Sequence, residues 1–257
     1  MTDILFYTII ILVSVLVGFI NTLVGSGSLI MIPLLIAMGL PAHIANGTNR
    51  VAVFMQSAVG SITFFQKKQI TIGIGWWSIV PSVLGALVGA WTATQIPPDS
   101  LEYMIGILLL VMLGVIMVNP ERWLKTTQSD GAKSKGFLPV LLMVLVGFYG
   151  GFIQGGVGIF LLAALVLGVG YPMGHANALK MLIVLFYSLP VLLIFVWQGQ
   201  VDWLWGLFTA MGQSVGAYLG AKFAATHKDA DVWTYRLLVL IIIASIVQFY
   251  KLWEWVI

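Results

Sequence analysis

Ten uncharged, apolar stretches succeed one another along the chain, at about 4–24, 27–39, 51–65, 72–95, 103–118, 137–154, 156–170, 181–197, 203–221 and 237–250. A helix needs about 20 residues to cross a bilayer, and most of these stretches approach that length once their interfacial flanks are added. Only 8% of the 257 residues are charged and 60% are hydrophobic, against roughly a quarter charged in an ordinary soluble domain. No water-facing surface can be assembled from so few charges. The medium around this chain is lipid, and the expected fold is an all-α polytopic membrane protein.

Two of the stretches, 27–39 and 156–170, are too short to cross, and each follows a glycine cluster. The clusters are Gly25-Ser26-Gly27-Ser28 and Gly150-Gly151 through Gly155-Gly156-Val157-Gly158. The same order therefore occurs twice: a helix, a glycine break and a half-length helix. Residue matches support a duplication. Val17-Gly18-Phe19 recurs as Val146-Gly147-Phe148, and Gly27 as Gly156. After a two-residue insertion the spacing becomes 131 and stays there, pairing Pro41/Pro172, Asn46/Asn177, Val53/Val184, Ser57/Ser188, Phe64/Phe195 and Gln69/Gln200. It ends on Gly85-x-x-x-Gly89 against Gly216-x-x-x-Gly220, small-residue pairs that let helix backbones approach closely.

The distribution of bases sets the expected topology, because Lys and Arg between spans stay cytoplasmic. With Lys67 and Lys68 inside, the 96–101 loop falls outside and the polar stretch 119–136, with Arg122, Lys125, Lys133 and Lys135, falls inside. Lys222, Lys228 and Arg236 also fall inside, and Lys251 is the exception. Each half then crosses an odd number of times. The expectation is two inverted repeats, 1–118 and 137–257, joined by a cytoplasmic linker at 119–136. Each repeat is a glycine-broken helical hairpin followed by three transmembrane helices, in the plasma membrane with both termini outside. Inverted repeats with broken helices are the layout of many secondary transporters.

Two cations do not lie at span ends. Arg50 and Lys180 sit several residues inside their segments, near Asn46 and Asn177. A central Arg or Lys costs about 2.5–3.5 kcal/mol, and all nine Asp and Glu fall at or beyond span ends. The expected partner is an anionic ligand. Asn46, Asn49, Arg50, Val53 and Ser57 share one helical stripe, and Asn177, Lys180, Val184 and Ser188 form its counterpart. Strict alignment pairs Lys180 with Asn49 and not Arg50, an offset of about 100° around the helix. Helix N-termini after the breaks would add N–H donors, with Gly27, Gly156, Ser26, Ser28 and Gln154 placed to contribute. The candidate substrate-binding set is thus Arg50, Lys180, Asn46, Asn49, Asn177, Ser26, Ser28, Gln154, Gly27 and Gly156, with no catalytic or metal-ligating residue.

At these residues the chain resembles the sulfite exporter TauE/SafE family. The first half carries Gly18-Phe19-Ile20-Asn21, the cluster at 25–28, Pro33, and the run from Ala45 through Asn46, Asn49 and Arg50 to Val53. The second carries Gly147 through Gly158, His175-Ala176-Asn177-Ala178-Leu179-Lys180 and Gly199-Gln200-Val201-Asp202-Trp203. The resemblance implies export, or sometimes import, of sulfite, sulfonates or related anions. The expected partners are a small sulfur-containing anion and the bilayer, with no nucleic acid and no cofactor. The absence of cysteine excludes thiol redox and thiolate metal sites. Two rival readings stand beside the sulfur-anion carrier. One is a carrier of a carboxylate or inorganic anion. The other is an intramembrane serine hydrolase pairing Ser26 or Ser28 with His43 or His175.

Overall fold

The computed structural model describes residues 2–70, 75–96 and 136–249, and every regular element among them is helical. From the first half come α1 (Thr2–Leu23), α2 (Ser28–Ala37), α3 (Ala42–Gln66) and α4 (Trp76–Ala93). From the second come α5 (Phe137–Phe152), α6 (Val157–Ala163, prolonged by a π-helical turn over Ala164–Val169), α7 (Met173–Trp197), α8 (Trp203–Thr226) and α9 (Ala230–Phe249). The expected span at 103–118 and nearly all of the linker, with its four bases, lie outside the described residues, as does Lys251.

The helix boundaries follow from local chemistry that recurs at matched positions. Pro41 and Pro172 precede α3 and α7 in extended backbone (φ −56° and −57°) and give their carbonyls to Ala45 N and Ala176 N at 2.8 and 2.9 Å. Proline suits this place because it has no N–H to satisfy. At the other ends, Gln69 N donates to Phe64 O at 3.0 Å and Gln200 N to Phe195 O at 2.9 Å, around the left-handed residues Lys68 and Gly199. These are paired Schellman closures, and the matching Phe and Gln of the sequence repeat are their terminal residues.

The packing is reciprocal between the halves. α1 lies along α8, α5 lies along α4, and α3 and α7 pack on each other in the centre. Small residues permit this. A Cβ at Gly85 or Gly89 would overlap the carbonyl of Val144 or Phe148, and a Cβ at Gly216 would overlap that of Val15. Gly147 and Gly18 meet the backbones of Ser82 and Gln213 in the same way. The residue order in these contacts runs the same way along both partners, so each pair is parallel.

Two helices, Trp76–Ala93 and Met173–Trp197, are each long and apolar enough to cross a bilayer by length and composition. α3 and α8 match α7 in length but spend their polar residues inward. Asn46, Thr48, Asn49, Arg50, Gln56 and Ser57 of α3 are buried. Leu12, Leu84, Val88, Leu193, Leu204 and Leu207 are each more than half exposed. Apolar residues outside and amides, hydroxyls and cations inside are the reverse of a water-soluble bundle, and the exposed apolar surface marks a membrane-embedded protein.

One loop contact ties the halves together at the α8 start. Asp202 N donates to Thr48 Oγ1 at 2.9 Å, and the Asp202 carboxylate caps α8 by accepting from Trp205 N at 3.0 Å. Asp202→Ala leaves the first bond and removes the second. It is expected to cost about 1 kcal/mol, read as a small fall in melting temperature of the detergent-purified protein.

Candidate functional site

The two glycine breaks touch. Gly25 has φ +82°, and a Cβ there would overlap Gly158 Cα; Gly158 N donates to the Gly25 carbonyl at 3.1 Å. The breaks hold their own shape through left-handed residues, Gly25 in the first and Gln154 (φ +64°) and Gly156 (φ +72°) in the second. A glutamine in that conformation persists only where its surroundings over-determine it. Here both ends of its amide are engaged, Oε1 accepting from Arg50 and Nε2 donating to the Tyr187 hydroxyl.

Arg50 is fully buried and closes the C-terminus of α5. Its Nη1 donates to Gly150 O at 2.6 Å and Gln154 Oε1 at 2.8 Å. Its Nη2 donates to Gly151 O at 2.7 Å, Phe152 O at 3.3 Å and Asn46 Oδ1 at 3.4 Å. The guanidinium also lies 4.9 Å from the Phe195 ring centroid, and Gln154 Nε2 donates to Tyr187 Oη at 3.3 Å. Lys180 does the same for the other half. Its Nζ donates to Thr22 O at 2.7 Å, Asn21 O at 3.3 Å and Asn177 Oδ1 at 2.7 Å, at the C-terminal end of α1. Each cation therefore arises on the third helix of one half and caps the broken first helix of the other.

Both cations thus have first partners within the protein, contrary to the expectation that only a ligand would answer them. A carbonyl belongs to every residue, so nothing in the sequence announces it. The helix ends neutralise only part of the charge. A helix C-terminus carries about −0.5 of an elementary charge against the full positive charge of each side chain, and among the described residues no Asp or Glu is bonded to either.

The remaining candidates divide. Asn46 bridges Arg50 and Phe152 O (Nδ2 to O, 3.2 Å), and Asn177 orients Lys180. Asn49 Nδ2 donates to Ser28 Oγ at 2.9 Å, fastening α3 to the start of α2. Gly27 N donates to Asn21 Oδ1 at 3.0 Å, so that N-terminal donor of the first break is already used. Ser26 Oγ is buried and without a hydrogen-bond partner. His175 is exposed and His43 half-buried, and no hydrogen bond joins either to Ser26 or Ser28, so no serine–histidine dyad is formed here.

A narrow cavity opens where the breaks meet. Lys180, Gln154, Gln56, Asn21 and Ser57 supply its polar wall, and Val157, Met181 and Val184 an apolar one. It has room for about one water molecule. Gln56 and Tyr187 line or brace the site without being singled out in the sequence, and Asn21 stood there only within the motif that carries the resemblance. Gln56 was accessible to it, since it stands seven residues after Asn49 on the α3 stripe.

An apolar exterior, broken helices meeting at a cavity, and buried cations bonded to no carboxylate among the described residues define a membrane transporter. The chain belongs to the sulfite exporter family: the family profile described as Sulfite exporter TauE/SafE matches residues 10–249. Its similar proteins include the probable membrane transporter protein YfcA of Escherichia coli K12, 28% identical over 82% of this chain and 77% of the relative. A probable membrane transporter protein of Haemophilus influenzae is 28% identical over 81% of each chain. The probable membrane transporter protein YdhB of Bacillus subtilis is 24% identical over 84% of this chain and 89% of its own. No solved structure matches the chain significantly.

Proposed function

We propose that the protein carries a small oxyanion, sulfite or an organosulfonate, across the plasma membrane by alternating access. The observation that carries this reading is the charge balance around the two helix breaks. Arg50 and Lys180 are buried, partly neutralised by helix ends, and bonded to no acid among the described residues. A passing anion supplies the remaining negative charge. Asn46, Asn177 and Gln154 keep the cations in position, and Asn49, Ser26 and Ser28 with Gly27 and Gly156 shape the breaks around them. The family supports sulfite and its relatives as the cargo.

The cavity is narrower than an oxyanion, so loading requires the halves to move apart. In this reading 1–118 and 137–257 are inverted repeats that rock about the contact between the breaks, joined on the cytoplasmic side by 119–136, with both termini outside. The reciprocal pairing of α1 with α8 and α5 with α4 supports two equivalent bodies. An inside-negative potential favours exit of each negative charge by about 2.3 kcal/mol per 100 mV, so efflux needs no coupled ion.

Proteoliposomes containing the purified chain test this with a panel of sulfite, methanesulfonate, sulfate and lactate. Sulfite or methanesulfonate is expected to move, faster when the potential drives the anion outward. Preferred movement of sulfate or lactate would change the cargo. Transport that ignores voltage and stops when a pH gradient is collapsed would overturn uncoupled efflux.

A further inference from the structure

The two cations stand in unequal surroundings, and the difference falls on one repeat position. At the 131-residue spacing that aligns Val53 with Val184 and Ser57 with Ser188, Gln56 corresponds to Tyr187. On the Arg50 side, Tyr187 is wholly buried and accepts from Gln154, whose other amide end holds Arg50. Of the two cations, Lys180 lines the cavity between the breaks and Arg50 does not. On the Lys180 side, the position holds Gln56, which is 1% exposed, lines the cavity and has an Oε1 with no hydrogen-bond partner.

An orphaned buried amide oxygen costs about 1–3 kcal/mol in a finished core. It is tolerable where something else fills the space for part of the cycle. The two ends of a glutamine amide are nearly isosteric, and a half-turn about its last bond exchanges acceptor for donor. Turned one way, Gln56 gives an N–H to an anion oxygen held by Lys180. Turned the other, it accepts from the hydroxyl of a protonated oxyanion.

We propose that the anion contacts the protein on the Lys180 side of the cavity, and that Gln56 is a substrate-binding, specificity-determining residue there while Arg50 is a fixed clamp on α5. This rests on the carrier reading above and divides its two cations by role. It also names the position, 56 against 187, where the halves differ: Gln56 lines the cavity and Tyr187 does not.

The test uses the full chain in proteoliposomes, with sulfite and methanesulfonate as probes and melting temperature in detergent as the folding control. Gln56→Met fills the same volume and removes the orphaned oxygen. It is expected to raise KM about tenfold, by loss of a hydrogen bond to a charged ligand, with melting temperature unchanged or higher. Gln56→Glu puts a carboxylate within the cavity that Lys180 lines and is expected to raise KM about 100-fold or more, as when a buried charge loses its partner. An unchanged KM in Gln56→Met, with wild-type transport present, would overturn the assignment and leave the carrier reading standing. A wild-type protein that moves neither probe would overturn both.

Discussion

Arg50→Gln is expected to destabilise the protein by several kcal/mol, with a fall in melting temperature on the order of 10 °C. The guanidinium satisfies the Gly150 and Gly151 carbonyls and Gln154 Oε1 at 2.6–2.8 Å, all of them buried at a helix end. Removing it orphans these acceptors at about 1–3 kcal/mol each, partly offset as the α5 terminus relaxes. Gln154 then loses the bond that holds its left-handed backbone. Arg50→Lys should restore less than half of the loss, because one ammonium cannot serve the Gly150–Gln154 pair and the Gly151–Phe152 pair together. Thermal unfolding and size-exclusion behaviour in detergent would show this. A variant that melts with the wild type would mean that Arg50 does not clamp α5.

Gly25→Ala is expected to cost about 2–5 kcal/mol, the sum of a left-handed alanine at about 1–2 and an overpacked contact at about 1–3. The obstacle is backbone: the new methyl would overlap Gly158 Cα, which has no rotamer by which to withdraw. The breaks must part, and the bond from Gly158 N to Gly25 O goes with them. Transport should fall along with stability, because the cavity lies at this contact. Gly39→Ala is the control. Gly39 also has positive φ, +96°, but a Cβ there meets nothing within 4 Å, so it should show the conformational cost alone. If the two variants lose the same stability, the approach of the breaks is not the constraint it is drawn to be.

Much of the fold is legible in the sequence. The half-length helices appear as Ser28–Ala37 and as Val157–Ala163 with its π turn, where the glycine clusters put them. The repeat spacing of 131 reappears as local structure, in the prolines ahead of α3 and α7 and in the Schellman closures at Lys68 and Gly199. The glycine pairs at 85/89 and 216/220 pack backbones together. These features were readable because each depends on residues close in sequence, or on an apolar pattern that lipid imposes along the whole chain.

The candidate site was legible in its members and less so in its wiring. Arg50, Lys180, Asn46, Asn177 and Gln154 come together as buried hydrogen-bonded groups, because a charge in mid-segment is conspicuous against an apolar background. Their partners were not readable. The Gly150 and Thr22 carbonyls lie 100 and 158 residues away in the chain and look like any other backbone group. Gln56 does not stand out in the sequence, because an amide on a polar helix face is ordinary until burial leaves its oxygen without a partner.

By itself, then, the sequence determined the solvent, the helices and their breaks, and the two charges that the interior must accommodate, since hydrophobic periodicity, glycine and intramembrane charge act locally and carry their costs wherever they sit. Only the tertiary structure decided which helix end answers each charge, that the two breaks meet at Gly25 and Gly158, and that Lys180 rather than Arg50 borders the cavity between them. Those outcomes depend on contacts between residues more than a hundred positions apart, and such contacts exist only once the helices have packed.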